Sequence, residues 1–187
     1  MKRSRHQHTT PGGMNRRDFV RLGAAAGVGA GMVALDRAAF AAVPDELGPA
    51  PEMPFAAPPI ENVRIGYVGV GGMGTSHVRN LLGIEGCQIV AVCDIVEEKV
   101  ANVQKMVEEK GFPKPTGYSR GERDFERLCA EEDLDLVYTA TPWAWHVPVC
   151  MAAMENGKHA ATEVPAAYPL EDCWKLVNTA EKTRRHC

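Results

Sequence analysis

The fold is decided by the stretch Val63-Arg64-Ile65-Gly66-Tyr67-Val68-Gly69-Val70-Gly71-Gly72-Met73-Gly74, in which an apolar run leads directly into a glycine-rich turn. Its last six residues fit the pattern G-x-G-x-x-G, and a segment typical of a helix follows them to Leu82. Asp94 lies 20 residues after Gly74, at the end of the next apolar run. A strand, a glycine turn, a helix and a strand-end acid in this order predict a dinucleotide-binding βαβ unit.

The glycines of this turn have separate physical roles. Gly69 allows the tight turn, Gly71 lets the backbone approach a pyrophosphate, and Gly74 lets the helix pack closely against the strand. The N-terminus of the helix supplies unpaired N–H groups and the positive end of its dipole to the phosphates. The competing interpretation is an ordinary glycine turn that binds nothing.

Asp94 indicates which dinucleotide is bound. Its carboxylate is expected to accept hydrogen bonds from the adenosine ribose hydroxyls, and its charge would repel a 2′-phosphate. Because hydrogen bonds to a charged acceptor are worth roughly 1.5–3 kcal/mol each, we expect NAD rather than NADP as the cofactor.

Strands and helices alternate outward from this turn. The predicted strands are 63–69, 88–93, 134–141 and 159–163, with a further short strand near Tyr118, and the predicted helices are 73–82, 96–110, 122–130, 147–156 and 170–185. This alternation predicts an α/β fold with a Rossmann-type, doubly wound parallel sheet. Since the last helix runs almost to the last residue, we expect the sheet to be incomplete at its C-terminal edge and its last strand to be exposed.

Two further segments follow predicted strands, at the position where ligands of open α/β sheets bind. The first contains Trp143, Trp145 and His146. The indoles could stack on a nicotinamide or a sugar face while the imidazole donates to a ribose or substrate oxygen. Alternatively, the indoles cover the sheet and His146 only caps the next helix. In the second segment Glu163 stands beside a proline turn, where a structural role is the simpler interpretation.

Together, the three segments resemble the Gfo/Idh/MocA family of nicotinamide-dependent oxidoreductases, over about residues 63–187. That family carries a Glu-Lys-Pro turn whose lysine assists hydride transfer. Here the turn is Glu163-Val164-Pro165, so the lysine is missing. This departure argues against ordinary alcohol-dehydrogenase chemistry.

The Trp-x-Trp-His segment, the Glu-Val-Pro turn and residues 171–177 are similar to glycoside hydrolase family 109, typified by α-N-acetylgalactosaminidase. The resemblance implies an NAD site lined by Gly72, Met73, Asp94, Trp143, Ala144, Trp145, His146, Glu163 and Val164. It also implies hydrolysis without net redox, through transient oxidation of a sugar by tightly bound NAD, elimination, water addition and re-reduction. The catalytic bases would come from a C-terminal domain beyond residue 187, so we assign no catalytic residue here.

Three hypotheses therefore stand. The first is the NAD-binding domain, residues 63–187, of such a glycosidase, with the carbohydrate bound through the absent C-terminal domain. The second is an NAD-dependent sugar or cyclitol dehydrogenase, and the third is a non-catalytic nucleotide-binding fragment. We expect the 187-residue chain alone to bind NAD weakly and to turn over no substrate. A homo-oligomer is left open.

Residues 1–41 are typical of a twin-arginine export signal. They hold seven Lys/Arg and two acids, so the rest of the chain, whose total charge is −3, carries −8. Arg16-Arg17 precede a weakly apolar run of 14 residues, 22–35, and an A-x-A cleavage pattern follows at Ala39-Phe40-Ala41. This run is shorter than the ~20 residues of a membrane span. We therefore predict export by the twin-arginine (Tat) machinery to the periplasm or cell envelope, with an uncleaved anchor as the alternative.

Residues 42–62 contain six prolines, which predicts an extended linker. The whole chain is 45% apolar and 24% charged, which argues against disorder and against a basic nucleic-acid-binding protein. The six cysteines show no C-x-x-C spacing and are expected to be buried thiols, with Cys150 and Cys173 on packed helix faces. The histidines show no metal-ligand spacing, so no metal is expected.

Overall fold

The computed structural model describes residues 55–187. The predicted export signal, residues 1–41, and the first part of the predicted linker, residues 42–54, lie outside the described residues. Residues 55–62 form neither helix nor strand. The ring of Phe55 stacks on that of His186, with the centroids 4.5 Å apart. Within the described part, no helix combines the length and the hydrophobicity of a membrane span.

Between residues 55 and 187, five strands alternate with five helices. They are β1 Val63–Val68, α1 Gly72–Leu81, β2 Cys87–Cys93, α2 Glu97–Glu109, β3 Thr116–Tyr118, α3 Asp124–Glu131, β4 Leu136–Thr139, α4 His146–Glu155, β5 His159–Thr162 and α5 Leu170–Thr183, with a 3₁₀ turn at Trp143–Trp145. All strand pairs are parallel and the order is β3-β2-β1-β4-β5. The predicted Rossmann-type, doubly wound sheet is confirmed.

Helices cover both faces of the sheet, because its strands are apolar on both sides. One face packs against α1 and α2 through a core that includes Ile65, Tyr67, Val78, Ile89 and Val103. The other face packs against α3, α4 and α5 through a core that includes Val68, Ala91, Leu128, Ala153 and Leu176. The chain reverses its winding between β1 and β4, so the ligand crevice of such a sheet is expected at their carboxyl ends.

The C-terminal edge differs in detail from the expectation. Helix α5 ends at Thr183 instead of Arg185, because Arg184 adopts a left-handed backbone conformation with φ of 53°. The chain then turns back along β5, where the Ala160 N–H donates to the His186 carbonyl at 2.9 Å. The edge of β5 was predicted to be bare and is instead partly covered by His186.

Candidate cofactor site

Gly69 and Gly74 are required by the packing of the first turn against its neighbours. Gly69 has a φ of +86°, and a Cβ at this position would lie 2.8 Å from the Thr141 backbone nitrogen. A Cβ on Gly74 would lie 1.9 Å from the carbonyl oxygen of Gly69. The close approach of β4 to the turn, and of α1 to the end of β1, therefore depends on these two residues.

In the described structure, no neighbouring atom requires a glycine at position 71 or 72. A Cβ on either would meet no heavy atom within 4 Å, so the space above this part of the turn is open. Helix α1 begins at Gly72 without a side-chain cap, which leaves the first N–H groups of the helix without intrahelical partners. This open surface with free donors is the kind of cradle in which a pyrophosphate binds.

Asp94 follows β2 and contacts the glycine turn. The Val70 N–H donates to Asp94 Oδ2 at 3.0 Å, and the Val96 N–H donates to Oδ1 at 3.0 Å. The Lys99 Nζ lies 3.8 Å from Oδ1. Each carboxylate oxygen has a second lone pair, so Asp94 can still accept hydrogen bonds from ribose hydroxyls.

A cavity of about 460 Å³ opens at the carboxyl ends of β1, β2 and β4. It lies within the size range of small-molecule sites. Among the residues that line it are Gly69, Gly71, Asp94, Lys99, Phe125 and Trp145. Four of these were predicted from the sequence. Lys99 and Phe125 were not, since both lie inside predicted helices and outside the three segments that follow strands.

The structure brings only one of the two predicted tryptophans to this cavity. Trp145 is half-buried beside it, and its ring meets Phe125 edge-to-face with the centroids 5.8 Å apart. Trp143 and Ala144 are exposed and do not line the cavity. The Trp143 ring instead lies against Tyr168, with the centroids 5.1 Å apart.

His146 is fully buried and joins two loops. Its Nδ1 lies 2.8 Å from the Pro165 carbonyl oxygen and its Nε2 lies 3.0 Å from the Thr141 carbonyl oxygen. Both partners only accept, so a neutral ring can donate to one of them and an imidazolium to both. The residue holds the loop after β4 to the turn after β5. Direct donation to a ligand stays a prediction that requires one of these bonds to be exchanged.

Glu163 stands at the carboxyl end of β5, where its N–H donates to the Thr139 carbonyl at 3.2 Å. Its Oε1 lies 3.1 Å from His77 Nε2, and His77 Nδ1 lies 2.8 Å from the Tyr67 hydroxyl. Val164, the next residue, is 80% exposed.

His77 was not among the site residues predicted from the sequence. The missed signal is its i, i+3 spacing from Gly74, which puts both residues on the helix face that meets the strand ends.

The hydroxyls around this pair stay protonated. Burial raises the pKa of Tyr67, and the neighbouring Tyr138 and the Glu163 carboxylate raise it further. Burial also raises the pKa of Tyr138, again assisted by Glu163. Both tyrosines are therefore hydrogen-bond donors at neutral pH.

One cysteine, Cys93, lines the cavity, and its thiol stays protonated at neutral pH. All six cysteines are free, and burial raises the pKa of Cys93 and of Cys129 to about 12. Cys93, Cys129 and Cys150 are buried as expected, whereas Cys87 is half-buried and Cys173 and Cys187 are exposed. Cys173 is exposed because the packed face of α5 runs through Leu176 and Thr179 instead. Across residues 55–187, no three His, Cys, Asp or Glu side chains are grouped to hold a metal ion.

Residues 63–187 match the GFO_IDH_MocA family model, an oxidoreductase family with an NAD-binding Rossmann fold. A glycosyl hydrolase family 109 protein of Saccharopolyspora erythraea is 42% identical over 174 residues, which are 92% of this chain and 38% of that protein. The alpha-N-acetylgalactosaminidase of Bacteroides fragilis is 46% identical over 133 residues, 71% of this chain and 31% of that enzyme. The chain thus spans 38% and 31% of the length of these two curated relatives.

Solved structures show the same fold. The WlbA dehydrogenase from Chromobacterium violaceum, in complex with NADH and UDP-GlcNAcA, has a TM-score of 0.59 and 28% identity, covering 70% of this chain and 36% of that one. The scyllo-inositol dehydrogenase from Lactobacillus casei, with bound NAD(H) and scyllo-inositol, has a TM-score of 0.57 and 22% identity, covering 66% and 34%.

Proposed function

The chain belongs to the Gfo/Idh/MocA family of oxidoreductases with an NAD-binding Rossmann fold, and we propose that it is the cofactor domain of an NAD-dependent glycosidase resembling α-N-acetylgalactosaminidase. The observation that carries the proposal is the open cradle at Gly71 and Gly72, which lies beside a cavity with Asp94 on its wall. Such an arrangement fits a dinucleotide, because it offers free N–H donors to phosphate and a carboxylate to ribose.

Different residues would bind different parts of the cofactor. The N-terminus of α1 at Gly72 and Met73 would hold the pyrophosphate, and Asp94 would hold the adenosine ribose. Trp145 would form an apolar wall of the cavity, and Glu163 would lie at the nicotinamide end. When bound, the nicotinamide supplies a reversible hydride acceptor. The residues of this chain bind and orient it.

The choice of NAD over NADP also belongs to this proposal. Asp94 supports it, because a carboxylate beside the ribose repels a 2′-phosphate. Among the described residues that line the cavity, Lys99 is the one cation, and its Nζ lies 3.8 Å from Asp94, which partly offsets this repulsion. We propose that the two backbone N–H groups hold Asp94 in place, so that NAD remains preferred.

Two observations favour a glycosidase over an ordinary dehydrogenase. The relatives that match over most of this chain are glycosyl hydrolase family 109 proteins. In addition, Val164 stands where the Glu-Lys-Pro turn of the family has its lysine. A valine side chain has no group that can take up or give a proton. The catalytic acid and base groups are proposed to lie in the part of the relatives that this chain does not span.

A sugar or cyclitol dehydrogenase is the second candidate. It is favoured by the 28% identity with the WlbA dehydrogenase, whose structure holds NADH and UDP-GlcNAcA.

The test begins by sequencing the DNA past codon 187 and expressing the longest reading frame that contains this chain. The expressed protein is assayed on nitrophenyl α-N-acetylgalactosaminide before and after removal of NAD. NAD-dependent release of nitrophenol without accumulation of NADH supports the glycosidase. Sustained NADH formation on a nucleotide sugar or inositol supports the dehydrogenase. No release in either state overturns the glycosidase proposal for this substrate.

We also propose that residues 1–41 direct export through the twin-arginine machinery. The 174-residue match to the Saccharopolyspora relative supports a shared N-terminal segment, because it is longer than the family domain. A fusion of residues 1–62 to a reporter tests this, since Arg16→Lys with Arg17→Lys should abolish its export. Export that survives the double substitution would contradict the proposal.

A further inference from the structure

Three side chains from three elements form a continuous hydrogen-bonded row at the carboxyl edge of the sheet. Tyr67 lies on β1, His77 on the second turn of α1, and Glu163 directly after β5. The Tyr67 hydroxyl is 2.8 Å from His77 Nδ1, and His77 Nε2 is 3.1 Å from Glu163 Oε1. The row thus connects the helix that begins at the glycine turn with the acid at the opposite end of the crevice from Asp94.

The direction of the hydrogen bonds follows from the chemistry of the two ends. Glu163 is a carboxylate, which only accepts, so the proton facing it must be on His77 Nε2. In the neutral ring Nδ1 is then an acceptor, and the Tyr67 hydroxyl can donate to it. The opposite tautomer would point the Nε2 lone pair at the carboxylate. The row therefore selects one tautomer of His77.

The surroundings keep both ends of the row in place. Tyr67 is fully buried, and its ring packs against Tyr138 with the centroids 5.1 Å apart. The Tyr138 ring also lies against His77, at 5.4 Å. The main chain of Glu163 is bonded to Thr139 on β4. Only the carboxylate itself remains adjustable. His77 Nε2 lies 3.1 Å from it, and the Tyr138 hydroxyl, whose pKa is raised by burial and by Glu163, is its second polar neighbour.

The row ends at the carboxyl edge of the sheet and not in the core, next to but outside the residues that line the cavity of about 460 Å³. The side chains of His77 and Glu163 are 20% and 30% exposed, whereas Tyr67 is fully buried. Such a partly exposed pair contributes little to folding stability. The buried Tyr67 hydroxyl orients the imidazole, and the imidazole orients the partly exposed acid. This geometry is typical of an acid that is held in place for a ligand.

We propose that His77 is a positioning residue, which holds the Glu163 carboxylate toward the nicotinamide end of the cofactor and whose tautomer is selected by Tyr67. This inference rests on the proposed function, because it assigns a role to residues of the NAD site. Neither His77 nor Tyr67 need touch the cofactor.

The first arm of the test needs no cofactor. Long-range ¹H–¹⁵N spectra of the 187-residue chain report the tautomer of His77, which is expected to be the Nε2–H form. In Tyr67→Phe the donor to Nδ1 is lost, and the spectrum should move toward a mixture of tautomers. An Nδ1–H form in the parent chain would overturn the inference.

The second arm measures NAD affinity by calorimetry, with thermal unfolding as a check on folding. His77→Ala should weaken binding on the order of tenfold, and His77→Gln should recover most of the loss, because its amide N–H₂ can donate to Glu163. The double variant His77→Ala with Glu163→Gln should bind as weakly as Glu163→Gln alone. Asn80→Ala, an exposed change on the same helix, is the control and should bind like the parent.

The outcomes separate the two proposals. A parent chain that binds no NAD overturns the proposed function, and this inference falls with it. A parent chain that binds NAD while His77→Ala binds equally well, or while the two substitutions weaken binding independently, overturns only the positioning role. Loss in His77→Ala with recovery in His77→Gln supports both.

Discussion

The backbone N–H of Val70 donates a hydrogen bond of 3.0 Å to Asp94, so the acid that follows β2 is bonded directly to the glycine turn that follows β1. The same carboxylate accepts from Val96, at the start of α2. Asp94 therefore shapes the turn as well as facing the cavity. Sequence analysis expected only its contact with the ribose.

Asp94→Asn should weaken NAD binding and reduce the preference for NAD over NADP. The amide carries no charge to repel a 2′-phosphate. Its oxygen can accept from only one of Val70 and Val96, and its N–H₂ then faces the N–H of the other. We expect a loss of about tenfold or more in NAD affinity, since bonds to a charged acceptor are worth roughly 1.5–3 kcal/mol. Calorimetric titration with both dinucleotides measures it. Glu97→Gln, an exposed acid on α2, is the control, and an unchanged NAD/NADP ratio in Asp94→Asn would contradict the assignment.

Two alanine substitutions in the glycine turn should separate binding from folding. Gly74→Ala would place a Cβ 1.9 Å from the Gly69 carbonyl, and the required backbone shift should destabilise the fold by roughly 1–3 kcal/mol. Gly71→Ala meets no atom within 4 Å and should unfold like the parent, while its Cβ obstructs the approach of a pyrophosphate. Urea unfolding and NAD titration of both variants check this. Full NAD affinity in a stable Gly71→Ala chain would argue against the proposed cradle.

Asp135 should stabilise the fold in a pH-dependent manner. Hydrogen bonds from the Arg64 guanidinium hold the pKa of this carboxyl below its ordinary value of 3.8. A depressed folded-state pKa adds stability above the unfolded-state pKa, and this stability is lost as the pH falls through the folded-state value. Asp135→Asn should therefore be less stable than the parent at pH 7.

Thermal unfolding between pH 7 and pH 3 measures this difference, which should shrink below about pH 4. Asp133→Asn removes the exposed second partner of Arg64 and should have little effect at any pH. A constant difference between Asp135→Asn and the parent across the whole range would contradict the role given to the Asp135 charge.

The buried thiols should be unreactive in the folded chain. With a pKa of about 12, Cys93 and Cys129 hold roughly one part in 10,000 as thiolate at pH 8. Cys173 is exposed and should react with iodoacetamide far faster. Mass spectrometry of the labelled peptides, with and without urea, measures the three sites. Labelling of Cys129 at the rate of Cys173 without urea would contradict the burial of Cys129 in the core beneath α3, α4 and α5.

The glycine turn, the parallel sheet and Asp94 could be predicted because each depends on short-range spacing along the chain. The positions of Trp143 and His146 could not. They are three residues apart, yet Trp143 stays exposed against Tyr168, whereas His146 is buried between the carbonyl groups of Thr141 and Pro165. Contacts of this kind depend on how the loops after β4 and β5 meet.

His77 was missed for the same reason. Its partners come from β1 and from the residue after β5, and only the strand order places β1 and β5 on either side of β4. Helical spacing alone could put His77 on the correct face, but it could not supply Glu163 as a neighbour.

The most direct test of the proposed NAD site is a calorimetric titration of the 187-residue chain with NAD and, in parallel, with NADP. We expect weak but saturable one-to-one binding of NAD. The affinity for NADP should be lower by about tenfold or more, because the charge of Asp94 repels the 2′-phosphate. The absence of saturable binding of either dinucleotide, or equal affinity for both, would contradict the site as described.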